Sequence, residues 1–151
     1  MVKWKRILRR ENIVLGIKAR SGIDAVRRLT ETVQQDAAIG DPKRFLRDVL
    51  DLESVGWSCI GKGIALPHVQ GDYVTHQVLA IGTLAEGVDA GAVDGEKIRL
   101  LAMMATPKRH HKQHVQVLAG LSRLLQNEKA RQALVEAPDA DAAYSVFCPP
   151  S

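Results

Sequence analysis

Ile60-Gly61-Lys62-Gly63-Ile64-Ala65-Leu66-Pro67-His68 is a glycine-broken apolar run that ends on a titratable side chain. Gly61 and Gly63 permit turns and close backbone approach, Ile64 to Leu66 read as a short buried strand, and Pro67 fixes φ just before the imidazole. The pattern predicts that His68 stands on a stiff support with one face open. A strand ending in a loop with an ordinary, partly exposed histidine fits the same residues, so the surrounding sequence must separate the two readings.

N-terminal to this stretch, Ile13 to Ile17 is β-branched and apolar enough for a first strand. Ser21 is placed to cap a helix with Asp24 in the capping-box position, and Ile23, Val26, Leu29 and Val33 recur at helical spacing. Asp41 and Pro42 open a second helix whose buried face is Phe45, Leu46, Val49 and Leu50, running to about Glu53. After a short link through Gly56, Cys59 to Leu66 is predicted to be a central strand bent at its glycines, and Gln77 to Leu84 a second central strand. Asp94-Gly95 signals a turn, and Ile98 to Thr106 is a third apolar run stopped at Pro107. Beyond it the pattern is helical: Val115, Leu118, Leu121, Leu124 and Leu125 form one stripe, with shorter pieces over Ala130 to Val135 and Ala140 to Phe147. This order predicts an α/β fold, a mixed sheet between helical layers in a single domain over residues 5–149, rather than a regular βαβ array.

Composition narrows the function classes. With 46% hydrophobic and 25% charged residues the chain reads as globular, and no apolar run reaches the ~20 residues of a bilayer span or the pattern of a signal peptide, so a cytoplasmic protein without membrane insertion is expected. Cys59 and Cys148 lack metal or redox spacing; both are expected as thiols, Cys59 in the core. The net charge of +4 raises nucleic acid as a partner, but Lys and Arg are dispersed among acids and aromatic residues are scarce. No nucleic-acid role is expected, and an acidic or phosphorylated protein partner accounts for the charge equally well.

The chemistry-bearing residues gather in a second place, Pro107-Lys108-Arg109-His110-His111-Lys112-Gln113-His114, where a strand end meets a helix start. Free N–H groups there favour an anion. Three readings compete. His110 and His114 share a helix face and suit a metal, although no Cys, Asp or Glu completes the set; the segment is simply a solvated basic helix start; or His114 faces His68 and helps to hold a phosphoryl group. Gly61-Lys62-Gly63 lacks P-loop spacing, Ser58 lacks a nucleophile-elbow sequence, and Asp51 with Glu53 stands on a helix end. Neither a metal nor an organic cofactor is expected.

Together, Gly61-Lys62-Gly63-Ile64-Ala65-Leu66-Pro67-His68 and His114-Val115-Gln116-Val117-Leu118-Ala119 resemble the IIA domain of the fructose/mannitol type of bacterial phosphotransferase systems, in particular its nitrogen-regulatory members. The likeness covers nearly the whole chain, from the early strand and two helices to the histidine that opens a leucine-rich helix. It implies that family's three-layer fold, with parallel and antiparallel strands in one sheet. It further implies that His68 accepts a phosphoryl group from an HPr- or NPr-type phosphohistidine carrier and that His114 supports it; Lys62, as a source of positive charge, Glu53 and Ser58 are expected as supporting residues. The phosphoryl group would pass to a IIB partner in sugar transport or serve as a signal to a regulatory target; a binding protein that kept the fold without phosphotransfer is the alternative of another class. The sequence departs from the family at Leu52, where relatives carry Arg, at Lys62, where Asn is common, and at Val69, where a small residue is usual.

Overall fold

The computed structural model describes residues 1–53 and 58–150, Glu53 through its backbone alone. After a 3-10 turn at Trp4–Arg6 come β1 (Leu8–Ile17), α1 (Gly22–Val33), α2 (Pro42–Glu53), β2 (Cys59–Gly61), β3 (Ile64–Ala65) and β4 (His68–Gly71). They are followed by β5 (Val78–Val88), β6 (Ile98–Pro107), α3 (His111–Leu125), α4 (Glu128–Val135) and α5 (Ala140–Phe147). The link through Gly56 lies outside the described residues.

β6 organises the sheet, whose order is β1-β5-β6-β3-β2. It pairs antiparallel with β5 and parallel with both β3 and β4, while β1 runs parallel to β5 and β2 antiparallel to β3. The mixed sheet expected from the sequence is therefore present. Alternation on β6 divides the core: Leu101, Met103 and Ala105 face α1 and α2, whereas Leu100, Ala102 and Met104 face α3 to α5. A strand buried on both faces has no polar side to show, which is why Leu100 to Ala105, beyond the exposed Arg99, reads as one uninterrupted apolar run.

β3 and β4 occupy one line along β6. Ile64 pairs with Leu100 and His68 with Met104, so the register is unbroken across Leu66 and Pro67. Pro67 has no N–H to give the ladder, yet its carbonyl accepts the Met104 amide at 3.0 Å. The proline interrupts the strand without releasing it.

The expected caps form. Ser21 Oγ accepts the Asp24 amide and Asp41 Oδ1 accepts the Arg44 amide, each at 3.1 Å. Asn127 caps α4 in the same way and starts it at Glu128, ahead of the expected Ala130. Other expectations need correction. β1 begins at Leu8 because it is an edge strand, where Arg9, Arg10 and Glu11 keep their charges in solvent. On α1, Ile23 is 41% exposed, while Ala25 and Thr30 join Val26, Leu29 and Val33 in the packed face. On α3 the buried row is His114, Val117, Leu121 and Leu125; Val115 is 50% exposed because the imidazole takes the inward position. Cys59 is half-buried, packed against the α1 and α2 side of the core.

Cys59 to Leu66 is likewise two strands rather than one bent central strand, and β2 forms the sheet's edge. Gly61, Lys62 and Gly63 have φ of 92°, 58° and 77°, and consecutive left-handed residues reverse the chain into a hairpin. The Lys62 amide donates to Asp94 Oδ2 at 2.8 Å, tying the hairpin to the Asp94-Gly95 turn, and this bond is the leading cause that holds the Asp94 carboxyl below its ordinary range. Lys62 is the one non-glycine residue in a left-handed conformation among the described residues, a position that Asn and Asp adopt more readily than Lys.

A Cβ on Gly63 would stand 3.0 Å from the Lys97 carbonyl oxygen, whereas one on Gly95, φ 74°, would meet nothing within 4 Å. Gly95→Ala is expected to cost about 1 kcal/mol, the left-handed penalty alone, and Gly63→Ala at least ~1 kcal/mol more. Urea unfolding of the two variants checks the difference; equal losses would show that the approach to Lys97 carries no weight.

Candidate functional site

β4 sends Val69 inward against the α1 and α2 side and leaves His68 and Gln70 half-buried on the α3 side, as strand alternation requires. His68 Nδ1 lies 2.6 Å from the Leu66 carbonyl oxygen. A carbonyl only accepts, so Nδ1 carries a proton, and in the neutral ring the lone pair lies on Nε2. The stiffness expected of Pro67 thus has a second component: the ring is held by the backbone two residues before it.

α3 lays a matching row over this strand. The His68 and His114 rings are 5.3 Å apart between centroids and tilted by 54°, and His111 Nδ1 is 3.1 Å from Gln70 Oε1. Residues two apart on a strand and three apart on a helix both share a face, so His68 with Gln70 can meet His114 with His111. His114 is only 3% exposed. Burial, reinforced by the neighbouring His68 and His111 rings, lowers its pKa to about 4, and at neutral pH it carries no charge.

Behind His114 lies a buried polar chain. Its Nδ1 is 2.7 Å from Thr106 Oγ1, and Gln77 Nε2 donates to the same hydroxyl at 3.0 Å. The register explains the alignment: Gln70 pairs with Thr106, and Val78 pairs with Ala105, so Gln77, one residue earlier, comes level with Thr106. Sequence reasoning missed Gln77 and Thr106, as well as Gln70 and His111. A signal was present, because a polar residue at each end of a buried run must find a partner.

Beside His68 opens a groove of about 380 Å³ whose described lining includes Ser58, Ile60, Leu66, Val115, Leu118 and Ser122, with no Lys or Arg among the described residues. Ser58 is buried on this wall, and its carbonyl accepts the Leu66 amide at 2.8 Å. Ile60 and Val115 form an exposed apolar rim.

The structure does not bring Lys62 to this place. Its ammonium donates at 2.8 Å to Gln126, the C-cap of α3, about 18 Å along the helix from His114. The Glu53 side chain lies outside the described residues, and Leu52 is exposed on α2. A larger groove, about 1380 Å³, runs between the N-terminal segment and α3, where Lys3, Arg6, Arg109, Lys112 and Arg123 gather with no carboxylate among the described lining residues. His110 lines that groove and His68 does not. Among the described residues no three His, Cys, Asp or Glu side chains converge as a metal set.

Residues 6–148 match the family model described as "Phosphoenolpyruvate-dependent sugar phosphotransferase system, EIIA 2". The chain belongs to this family. The fructose-specific EIIABC component of Bacillus subtilis is 28% identical to this EIIA-family chain over 146 residues, covering 97% of the chain and 23% of the relative, so the chain spans about a quarter of that protein. The nitrogen regulatory protein IIA-Ntr of Neisseria meningitidis superposes with a TM-score of 0.85 at 20% identity, covering 94% of this chain and 97% of that one. The IIAMTL enzyme of Escherichia coli, solved in complex with phosphorylated IIBMTL, superposes with a TM-score of 0.80 at 23% identity, covering 95% and 100%. These structures share the EIIA fold, a mixed sheet between helices. No described helix of the chain is long and apolar enough to cross a membrane.

The depressed pKa of His114 links site and stability. Unfolded, the ring takes up its proton as pH falls through about 6.5; folded, it does so only near 4. Between these values the unfolded state binds more protons, so stability rises with pH through the window and is lost as pH falls, by up to about 3 kcal/mol at the acid end. Urea unfolding of the parent protein and of His114→Gln between pH 4.5 and pH 7.5 checks this: the parent should show the steeper loss on acidification.

Proposed function

We propose that this EIIA-family chain is a phosphoryl carrier in which His68 Nε2 accepts a phosphoryl group from a phosphohistidine protein of the HPr or NPr type. The observation that carries the reading is the His68 Nδ1–H bond to the Leu66 carbonyl, which orients the ring beside the groove and next to a buried, uncharged histidine. In the transfer, the Nε2 lone pair of neutral His68 forms the new N–P bond as the donor's N–P bond breaks, and the donor ring, protonated on its other nitrogen, leaves as neutral imidazole with that electron pair. Positive charge that develops on the His68 ring is stabilised through Nδ1–H by the Leu66 carbonyl, and no proton has to move. His114 supports the equatorial phosphoryl oxygens by hydrogen bonding, so the protein contributes positioning and electrostatics. No metal, nucleotide or other cofactor takes part.

The apolar rim of Ile60 and Val115 suits a protein partner, which can cover both the rim and the reacting atoms. Domain 5–149 would act as a unit in the cytoplasm, in the nitrogen-regulatory branch, with the phosphorylation state of His68 read by a target protein. A second reading is favoured by the 28% identity to a fructose-specific relative over nearly the whole chain: delivery of the phosphoryl group to a fructose/mannitol-type IIB domain. A binding protein without phosphotransfer is the remaining reading, and the absence of Lys and Arg from the described residues lining the groove speaks for it. Lys62 and Ser58 support the site through structure, by way of the hairpin and the groove wall, and Glu53 stands at the end of α2.

Incubation with phosphoenolpyruvate, enzyme I and an HPr- or NPr-type carrier should add one acid-labile phosphoryl group to the parent protein and none to His68→Ala, read by intact mass. His114→Ala is expected to fold and to be phosphorylated about 100-fold more slowly. No adduct on the parent with several carriers defeats the carrier reading in favour of the binding one. Discharge to a IIB domain in a second incubation would assign the sugar branch.

A further inference from the structure

We propose that Gln77 and Thr106 are positioning residues that fix His114 as its Nε2–H tautomer, so that the buried ring offers the phosphoryl group a hydrogen-bond donor rather than a lone pair. The inference rests on the phosphoryl-carrier reading for its purpose but not for its geometry. Gln77, Thr106 and His114 are each 3% exposed or less, so every proton among them needs a protein partner.

The argument starts at the far end. The amide nitrogen of Gln77 has two acceptors, Thr106 Oγ1 at 3.0 Å and the Met104 sulfur at 3.1 Å. Its Oε1 has no partner and is the one buried side-chain atom left so among the described residues. Turning the amide over would place an oxygen lone pair against the sulfur and strand both N–H groups in place of one carbonyl. The satisfied orientation therefore has nitrogen toward Thr106.

The Thr106 hydroxyl then accepts from Gln77 and still has its own hydrogen to place. Its other hydrogen-bond contact among the described residues is His114 Nδ1 at 2.7 Å. If Nδ1 carried the proton, the hydroxyl would accept twice and its hydrogen would be buried without an acceptor, a loss comparable with a missing hydrogen bond. Thr106 therefore donates to Nδ1, and the His114 proton sits on Nε2. Polarity runs in one direction, from Gln77 through Thr106 to His114, and ends in an N–H. Because the ring is neutral, that N–H is its only donor.

Long-range 1H–15N correlation spectra of the unphosphorylated protein at pH 7 read the tautomer directly. His114 should show a protonated Nε2 and an unprotonated Nδ1; a protonated Nδ1 overturns the proposal. Thr106→Val should mix the tautomers and slow phosphorylation of His68 about tenfold through kcat, with KM for the carrier unchanged, and Thr106→Ser should restore both. Gln77→Met should also admit the Nδ1–H form. An unaltered His114 spectrum in folded Thr106→Val or Gln77→Met removes that residue from the role. Since the tautomer is measured without phosphate, its outcome is separate from whether His68 accepts a phosphoryl group.

Discussion

The parallel pairing of β4 with β6, continued from β3 across Pro67, is the constraint on which the rest of the site depends. It fixes His68 opposite Met104 and Gln70 opposite Thr106, and it sets which faces of the two strands look toward α3. A shift of one residue would turn the imidazole into the α1 and α2 side of the core and bring Val69 to the groove. The Pro67 carbonyl bond to Met104 and the Leu66 carbonyl bond to His68 occupy neighbouring peptide units, so the ladder and the His68 ring are held by the same short piece of backbone.

A row of polar residues at the β6 end of the sheet follows from that register. Gln77, Thr106 and Gln70 lie level across the strands, beneath the first turn of α3, and His111 and His114 descend onto them. An imidazole at this depth is tolerated because its Nδ1 has a partner and its pKa falls. Five cationic side chains, Lys3, Arg6, Arg109, Lys112 and Arg123, gather instead along the opposite flank of α3. One helix thus separates an apolar groove beside His68 from a cationic one.

Features governed by local chemistry were legible in the sequence: the Ser21 and Asp41 caps, the stop at Pro107, the turn at Asp94-Gly95, and the doubly buried β6. Their causes lie within a few residues of their effects. The nearness of His68 and His114 followed from the family resemblance, since the contact is set by tertiary packing and not by sequence spacing. Less legible were features decided at a distance. The edge position of β1 allowed a charged start that looked unlike a strand, and the inward turn of His114 displaced Val115 from the apolar stripe. Lys62 looked like active-site charge from its place between two glycines, but that place is a left-handed turn whose side chain reaches the far end of α3. Gln77 and Thr106 showed their polarity in the sequence, while the chain that joins them to His114 could appear only once the register was known.

The placement of His68 on a strand, rather than on a lid, bears on how firmly partners need to be held. A catalytic group that must be ordered at each encounter charges that entropy to the complex, which then has to bind more tightly to compensate. Here the ring is ordered before any partner arrives, through its own backbone and the β6 ladder. For the shuttle role proposed above, an encounter can therefore be loose and brief and still be productive, so that one small surface can meet a donor and an acceptor in turn without being trapped by either.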